Sequence, residues 1–266
     1  VYRTRDGGRT WQKLGLEKTE HIHRIVLDPR DPEVAFVAAV GSQWSSNEER
    51  GLFRTKDGGA TWDKVLFVDA DTGCCDVAMD PRNPDKLIAG MWQHRRTAWD
   101  FFSGGPGSGV HRSLDGGRTW TRLAPHDGIP DGELGRSSIA IADSDPNVVY
   151  LLLEAKKSAL LRSDDGGFSF RVVNQSDGVA VRPFYFCDLR VDPRDPQRVY
   201  NLQMVIDVST DGGRTFSTLA GWDQAHPDHH AMWIDPLDPR RMLIGNDGGV
   251  YTSLDRGGSW RFCSNL

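Results

Sequence analysis

The sequence predicts an all-β chain of repeating four-stranded units, and three observations predict it. The first is a phrase that occurs six times: TRDGGRTW (Thr4–Trp11), TKDGGATW (Thr55–Trp62), SLDGGRTW (Ser113–Trp120), SDDGGFSF (Ser163–Phe170), STDGGRTF (Ser209–Phe216) and SLDRGGSW (Ser253–Trp260). All six obey S/T-x-D-x-G-x-x-W/F. Their aspartates, Asp6, Asp57, Asp115, Asp165, Asp211 and Asp255, are spaced by 51, 58, 50, 46 and 44 residues. The second is a proline phrase that begins at Asp28, Asp80, Asp143, Asp192 and Asp235, in most copies as Asp-Pro-x-Asp/Asn-Pro. The third is composition: 29 glycines and 14 prolines leave no helical stretch of ordinary length in 266 residues. A period of this size marks a propeller or a similar repeat architecture.

Each element follows from local chemistry. Proline and aspartate at the offsets of the second phrase make turns. An apolar run follows each one: Val34–Val40, Leu87–Met91, Val148–Leu153, Val199–Leu202 and Met242–Gly245. In the first phrase the aspartate can accept backbone N–H groups, glycine permits positive φ, and the closing Trp or Phe can bury its ring beside the turn. A calcium loop would need several oxygen-bearing side chains at close spacing, and most copies supply one carboxylate. The unit is therefore strand A, proline turn, strand B, variable loop, strand C, Asp-Gly turn, strand D, which is a propeller blade. Five complete blades are expected at about 22–69, 74–125, 136–174, 185–220 and 229–264, with a half blade at 1–14. They make a single β-propeller segment over 1–266, expected to be part of a larger ring whose missing strands come from the rest of a parent chain or from another molecule.

Strand direction sorts the connections by face. The A–B and C–D turns share one side of each blade, and the B–C and D–A connections share the other. The long insertions, 41–50, 91–109, 124–135, 174–184 and 220–228, all belong to the second class. Rigid scaffolds carry function in such loops.

Candidate ligand-binding residues are therefore read from these loops. The 91–109 insertion places Trp92 and Trp99 beside His94, Arg95 and Arg96, a mixture suited to stacking on sugar rings or gripping a peptide. Trp44, with Glu48, Glu49 and Arg50, could extend that surface. A second cluster holds Trp222, His226, His229 and His230, and Arg136, Arg182 and Tyr185 are further candidates. The histidines with Asp223 and Asp228 have metal-ligand chemistry, but His229 and His230 point to opposite faces of a strand. No metal and no cofactor is expected. His23, Cys75, Ser138, Cys187 and His230 share one level of successive inner strands, a register that also suits buried blade contacts. For hydrolysis, paired carboxylates are required; the candidates are Asp76, Asp100, Asp188, Asp223 and Asp228, and sequence spacing singles out no pair. The residues alone leave open whether the protein is an enzyme.

A net charge of −5 speaks against a nucleic-acid partner. No apolar run reaches membrane-spanning length. Cys74, Cys75, Cys187 and Cys263 have no metal-site spacing, and adjacent cysteines do not readily bridge.

The six phrases resemble the Asp-box, or bacterial neuraminidase repeat. With the proline phrase they cover nearly the whole chain and are similar to large bacterial glycosyl-hydrolase-like repeat proteins; SGGPGSG (103–109), DHH (228–230) and GNDGGV (245–250) carry this likeness. The chain also resembles the sortilin-type propeller, the xyloglucanases of glycoside hydrolase family 74 and the photosystem II assembly propeller. The resemblance implies that the repeated aspartates are structural and lie away from the ligand face. It implies an extracellular or periplasmic location. The expected function is a binding or scaffold propeller for a glycan, peptide or protein, with a sialidase-like or xyloglucanase-like glycoside hydrolase as the alternative. A sialidase needs an arginine triad with a tyrosine; Arg136, Arg182 and Tyr185 are pieces whose surroundings match no motif of that family.

Overall fold

The computed structural model describes residues 1–265. Two compact units divide the chain, residues 1–123 and residues from Ala124 onward. The first unit opens with a two-stranded antiparallel sheet, β1 (Tyr2–Arg3) and β2 (Gln12–Lys13). A four-stranded meander follows: β3 (Ile22–Asp28), β4 (Asp31–Ala39), β5 (Gly51–Thr55) and β6 (Asp63–Leu66). The next sheet runs β7 (Thr72–Met79), β8 (Leu87–Arg96), then past β9 (Phe101–Ser103) to β10 (Gly109–Ser113) and β11 (Thr121–Arg122). Its order is β7-β8-β10-β11, and β9 pairs only with the far end of β8.

The second unit repeats the meander three times. The first holds β12 (Leu134–Ile141), β13 (Val149–Ala155), β14 (Ala159–Ser163) and β15 (Arg171–Asn174). The second holds β16 (Asp188–Asp192), β17 (Asp195–Leu202), β18 (Ile206–Ser209) and β19 (Ser217–Ala220). The third holds β20 (His229–Ile234), β21 (Met242–Asn246), β22 (Gly249–Ser253) and β23 (Arg261–Phe262). The fold is thus an all-β propeller of five four-stranded blades plus a two-stranded half blade, as the repeats predict. Helix is confined, among the described residues, to single 3-10 turns at Glu17–Thr19 and Pro125–Asp127. None of it is long and apolar enough to cross a membrane.

The repeated turn explains the repeat. Its Ser or Thr hydroxyl donates to the aspartate, at 2.6 Å in Ser163–Asp165 and 2.8 Å in Thr55–Asp57, and accepts the N–H of the glycine four residues on. The other carboxylate oxygen takes a hydroxyl from Thr10, Thr61, Thr119, Ser169, Thr215 or Ser259. The pattern S/T-x-D-x-G-x-x-W/F leaves that position free, yet it carries Ser or Thr in all six copies. These donors pull the pKa of Asp6, Asp57, Asp211 and Asp255 down to about 2, with hydrogen bonds from the following Ser or Thr as the largest cause. Five copies also hydrogen-bond across to the proline turn of the same blade. Gly58, Gly116, Gly166 and Gly212 donate to Glu33, Asp85, Asn147 and Gln197 at 2.8–2.9 Å, and Arg256 donates to Arg240 at 3.0 Å. The two turns therefore do share one side of each blade. In the sixth phrase Arg256 replaces a glycine at φ 64°, and its guanidinium reaches the buried carboxylate of Asp192.

Two local details differ from the sequence reading. The ladder continues into the proline phrase at Asp28↔Asp31 and Asp192↔Asp195, so Pro32 and Pro196 lie at strand starts, where no ladder N–H is needed. The ring of Trp11 stays 60% exposed on the half blade, whereas Trp62, Trp120 and Trp260 pack against apolar clusters.

Apolar cores lie between successive sheets. In the first unit Phe36, Ala38 and Leu52 meet Cys74, Val77, Leu87 and Met91. In the second, Tyr150, Leu152 and Leu160 meet Leu189 and Val199, and Leu202 and Ile206 meet Met232 and Ile244. The small, β-branched and leucine-rich strands suit surfaces buried on both faces.

Candidate functional site

In the first unit three connections opposite the repeated turns are joined into one surface. Asn47 N–H donates to Ala70 O at 2.8 Å, Arg96 N–H to Gln43 O at 2.7 Å and His94 N–H to Asp71 O at 3.3 Å. Arg50 stands at the junction and is fully buried, not part of an exposed surface as the sequence suggests. Its guanidinium donates to Asp71 O at 3.0 Å, to Ser45 O at 2.9 Å and to Ser42 O. Burial draws its pKa below the usual arginine range, and the Asp71 charge acts in the other direction. Gly41, at φ 84°, makes room for it: a Cβ there would sit 2.2 Å from Arg50 Cγ. The Asp71 carboxylate accepts from Ser46 Oγ at 2.8 Å and from Arg95 Nη2 at 2.5 Å. The Ser46 hydroxyl, aided by Arg95, holds it below the usual carboxylate range.

This clamp presents aromatic rings to solvent. The expected irregular insertion is in fact a hairpin, because β8 runs on to Arg96 and pairs His94↔Ser103, Arg95↔Phe102 and Arg96↔Phe101. Trp99 sits in its turn and is 85% exposed; Phe101 and Phe102 are also exposed. The turn is set by Thr97 and Asp100: each N–H finds the other residue, and the Asp100 carboxylate accepts Phe101 N–H at 2.8 Å. Trp44 is 58% exposed, with the Arg96 guanidinium 6.0 Å from its ring centre. Trp92 and His94 point the other way. They are buried, stacked at 4.0 Å, and Trp92 Nε1 donates to Ser103 Oγ.

The second unit has its own surface. Gln203 ties its connections together: its backbone carbonyl accepts His229 N–H at 2.9 Å, its Oε1 accepts Val181 N–H at 2.9 Å and its Nε2 donates to Gly178 O at 3.0 Å. Arg136 donates to Phe184 O at 2.9 Å, bracing the same loop. Arg182 lies over the Tyr185 ring at 4.7 Å, and His230 packs 5.4 Å from the Phe186 ring. His230 Nε2 is 2.8 Å from Asp247 Oδ1. His229 is buried, and burial together with His230 and His226 pushes its pKa down to about 4. The His226 ring lies within 3.0 Å of Pro227 O through Nδ1. Trp222 and Asp223 are exposed, and Asp228 holds φ 66°.

Among the candidate carboxylates, Asp76 is buried and accepts Arg24 Nε at 2.8 Å and Val77 N–H at 2.9 Å. Asp188 is buried between Ser138 and Arg190. Asp100, Asp223 and Asp228 reach solvent. No group of three or more His, Cys, Asp or Glu gathers as a metal site among the described residues. Gln203 and Phe186 were absent from the sequence reading, because a lone polar residue after a strand and one more apolar residue carry no local signal.

Four-stranded blades with constrained loops on one side define a β-propeller that displays aromatic and charged side chains. Comparison with known proteins agrees. Residues 1–124 match the family model described as Sortilin, neurotensin receptor 3. The chain is 28% identical over 155 residues to an oligoxyloglucan-reducing end-specific xyloglucanase of Emericella nidulans, across 50% of this chain and 18% of the relative. A xyloglucanase of Acetivibrio thermocellus is 23% identical across 97% of the chain and 37% of its own length. The crystal structure of an ancestral glycoside hydrolase family 74 enzyme superposes with a TM-score of 0.69 at 17% identity, covering 98% of this chain and 35% of that one. The chain thus spans well under half the length of these relatives. It is a propeller that resembles family 74 xyloglucanases and, more distantly, the sortilin-type propeller.

Proposed function

We propose that this propeller segment, residues 1–266, recognises a polysaccharide chain, and that the hairpin bearing Trp99 is the principal contact. The observation that carries this reading is a tryptophan left 85% exposed on a hairpin whose base is locked by Arg50 and Asp71. Flat, exposed rings on a rigid base offer stacking area at little cost in conformational entropy. The similarity to xyloglucanases favours a xyloglucan-type chain over a peptide or protein partner. The six turns, with their shared hydrogen-bond pattern, are read as Asp-boxes with a structural role, and an exported location accords with a wall polysaccharide as ligand.

A second reading is glycoside hydrolysis by two carboxylates, and the same similarity supports it. The reaction needs an acid and a base or nucleophile about 5–5.5 Å or 6.5–9.5 Å apart. Asp100, Asp223 and Asp228 have the solvent access this requires; Asp76 and Asp188 would have to exchange their arginine partners for substrate.

Affinity electrophoresis in xyloglucan, run beside a reducing-end assay, tests both. Retarded migration that is lost in Trp99→Ala supports recognition, and unretarded migration of the wild type refutes it. Release of reducing ends that falls about 10²–10⁴-fold in an Asp→Asn variant at two of the five aspartates identifies a hydrolase. Undiminished release in all five would exclude them as the catalytic pair.

A further inference from the structure

The second unit carries a cation that the protein itself does not neutralise. Arg182 is exposed, and its guanidinium makes no hydrogen bond or ion pair among the described residues. Three arginines of this unit are ion-paired, Arg190 with Asp188, Arg256 with Asp192 and Arg162 with Asp164, whereas Arg198 on β17 donates to the Tyr200 hydroxyl. Nor is Arg182 a loose surface residue. Its carbonyl accepts both Tyr185 N–H and Phe186 N–H at 2.9 Å, and its neighbour Val181 is held by Gln203. The guanidinium lies 4.7 Å from the centre of the Tyr185 ring and 5.8 Å from that of Phe186. A stacked guanidinium keeps its planar fork of donors free for a carboxylate.

His230 packs on the same Phe186 ring, so the two groups lie within the span of a short sugar segment. A carboxylate can only accept, so the bond to Asp247 means that Nε2 carries the proton. In the neutral ring Nδ1 is then an acceptor, and no protein donor reaches it among the described residues, while the side chain is 48% exposed. The carboxylates of Asp188 and Asp247 are already engaged by Arg190 and His230. One fork of donors and one acceptor therefore lie within 6 Å of the same Phe186 ring centre.

We infer that Arg182 and His230 form a subsite for a hexuronate residue, the fork binding its carboxylate and His230 Nδ1 accepting a neighbouring hydroxyl. This rests on the glycan reading and extends it from neutral chains to acidic ones.

Isothermal titration calorimetry on the full chain tests it with three probes: a glucuronate-bearing xylan oligosaccharide, its uncharged counterpart of equal length, and a glutamate-rich peptide. The expected result is about tenfold tighter binding of the acidic sugar than of the neutral one, on the scale of one charge-assisted bidentate pair. Arg182→Gln abolishes that preference, so that the acidic and neutral sugars bind alike. Arg182→Lys, which keeps charge and loses the fork, restores only part of it. Both variants should melt with the wild type, because the side chain is exposed. Equal affinity for the two sugars, or a preference that survives Arg182→Gln, overturns the subsite and leaves glycan recognition standing. Failure of both sugars to bind overturns the subsite while the xyloglucan electrophoresis still judges glycan recognition, and tight binding of the peptide alone overturns the subsite in favour of an acidic-peptide site.

Discussion

Arg50 illustrates how one residue can set a surface it never reaches. Its side chain satisfies the carbonyls of Ser42, Ser45 and Asp71, which belong to two separate connections. Removing it strands those acceptors in a dry site, so Arg50→Ala should cost about 3 kcal/mol in urea unfolding. The same variant should weaken any ligand held by Trp44 and Trp99, because their loops lose a common anchor. Trp99 is the converse case. With so little of the ring buried, Trp99→Ala should leave stability within about 0.5 kcal/mol of wild type. Yet it should lower polysaccharide affinity about tenfold or more, the size of a central aromatic contact, as titration calorimetry would read. Trp44 and Trp99 stand out in the sequence because aromatics in long insertions are conspicuous, and both rings are exposed. The sequence groups Trp92 and His94 with them, and the structure gives a reason for their separation. Alternation along β8 turns both toward the buried side, where Trp92 bonds the Ser103 hydroxyl and His94 lies 3.4 Å from the buried Arg50 guanidinium.

At the scale of the element, the six turns are copies of one hydrogen-bond circuit. A Ser or Thr at the first position donates to the aspartate and receives a glycine N–H, so it cannot be replaced without losing two bonds at once. Ser163→Ala, at a fully buried hydroxyl, should cost about 1–3 kcal/mol by chemical denaturation, and Ser163→Thr should recover most of it. The Ser or Thr before the closing aromatic, present in all six phrases though the pattern leaves that position free, donates to the second aspartate oxygen. The hairpin of β8 and β9 was less legible. Its strands, ending in charged residues and two phenylalanines, pair on one edge only, and a glycine-rich return segment hides the period of two. Its geometry depends on Gly105 and Gly107, where a Cβ would meet Gln93 Oε1 at 2.4 Å and Thr72 Oγ1 at 2.1 Å.

For the whole molecule, two sets of groups predict the response to acid. His111 and His229 are held down to about 4, each chiefly by burial, while an unfolded histidine titrates near 6.5. Their contribution is complete above about pH 6.5 and is lost as pH falls toward 4, since the unfolded chain binds the protons first. The turn aspartates Asp6, Asp57, Asp165, Asp211 and Asp255 are held near 2, and Asp115 lower still. Their contribution is full above about pH 4 and fades as pH falls toward 2. The melting temperature should therefore fall in two stages, a first between pH 6.5 and 4 and a steeper one below pH 4. A single transition confined to the lower range would show that the buried histidines are already protonated in the folded state.

What the sequence determined by itself was the repeat: strand number per blade, the place of both turns and the side of each blade on which they lie. These follow from short-range rules, since a turn needs particular residues at fixed offsets and strand direction alternates. Tertiary structure alone decided which loop residues become surface and which become anchor. Arg50 and Trp92 occupy insertions as polar or aromatic as their neighbours, and both are buried beside partners elsewhere in the chain, the Asp71 carbonyl for one and the Ser103 hydroxyl for the other. Arg182 stays exposed, with no carboxylate brought to it among the described residues. Such outcomes depend on contacts between residues far apart in the chain, which local spacing does not encode.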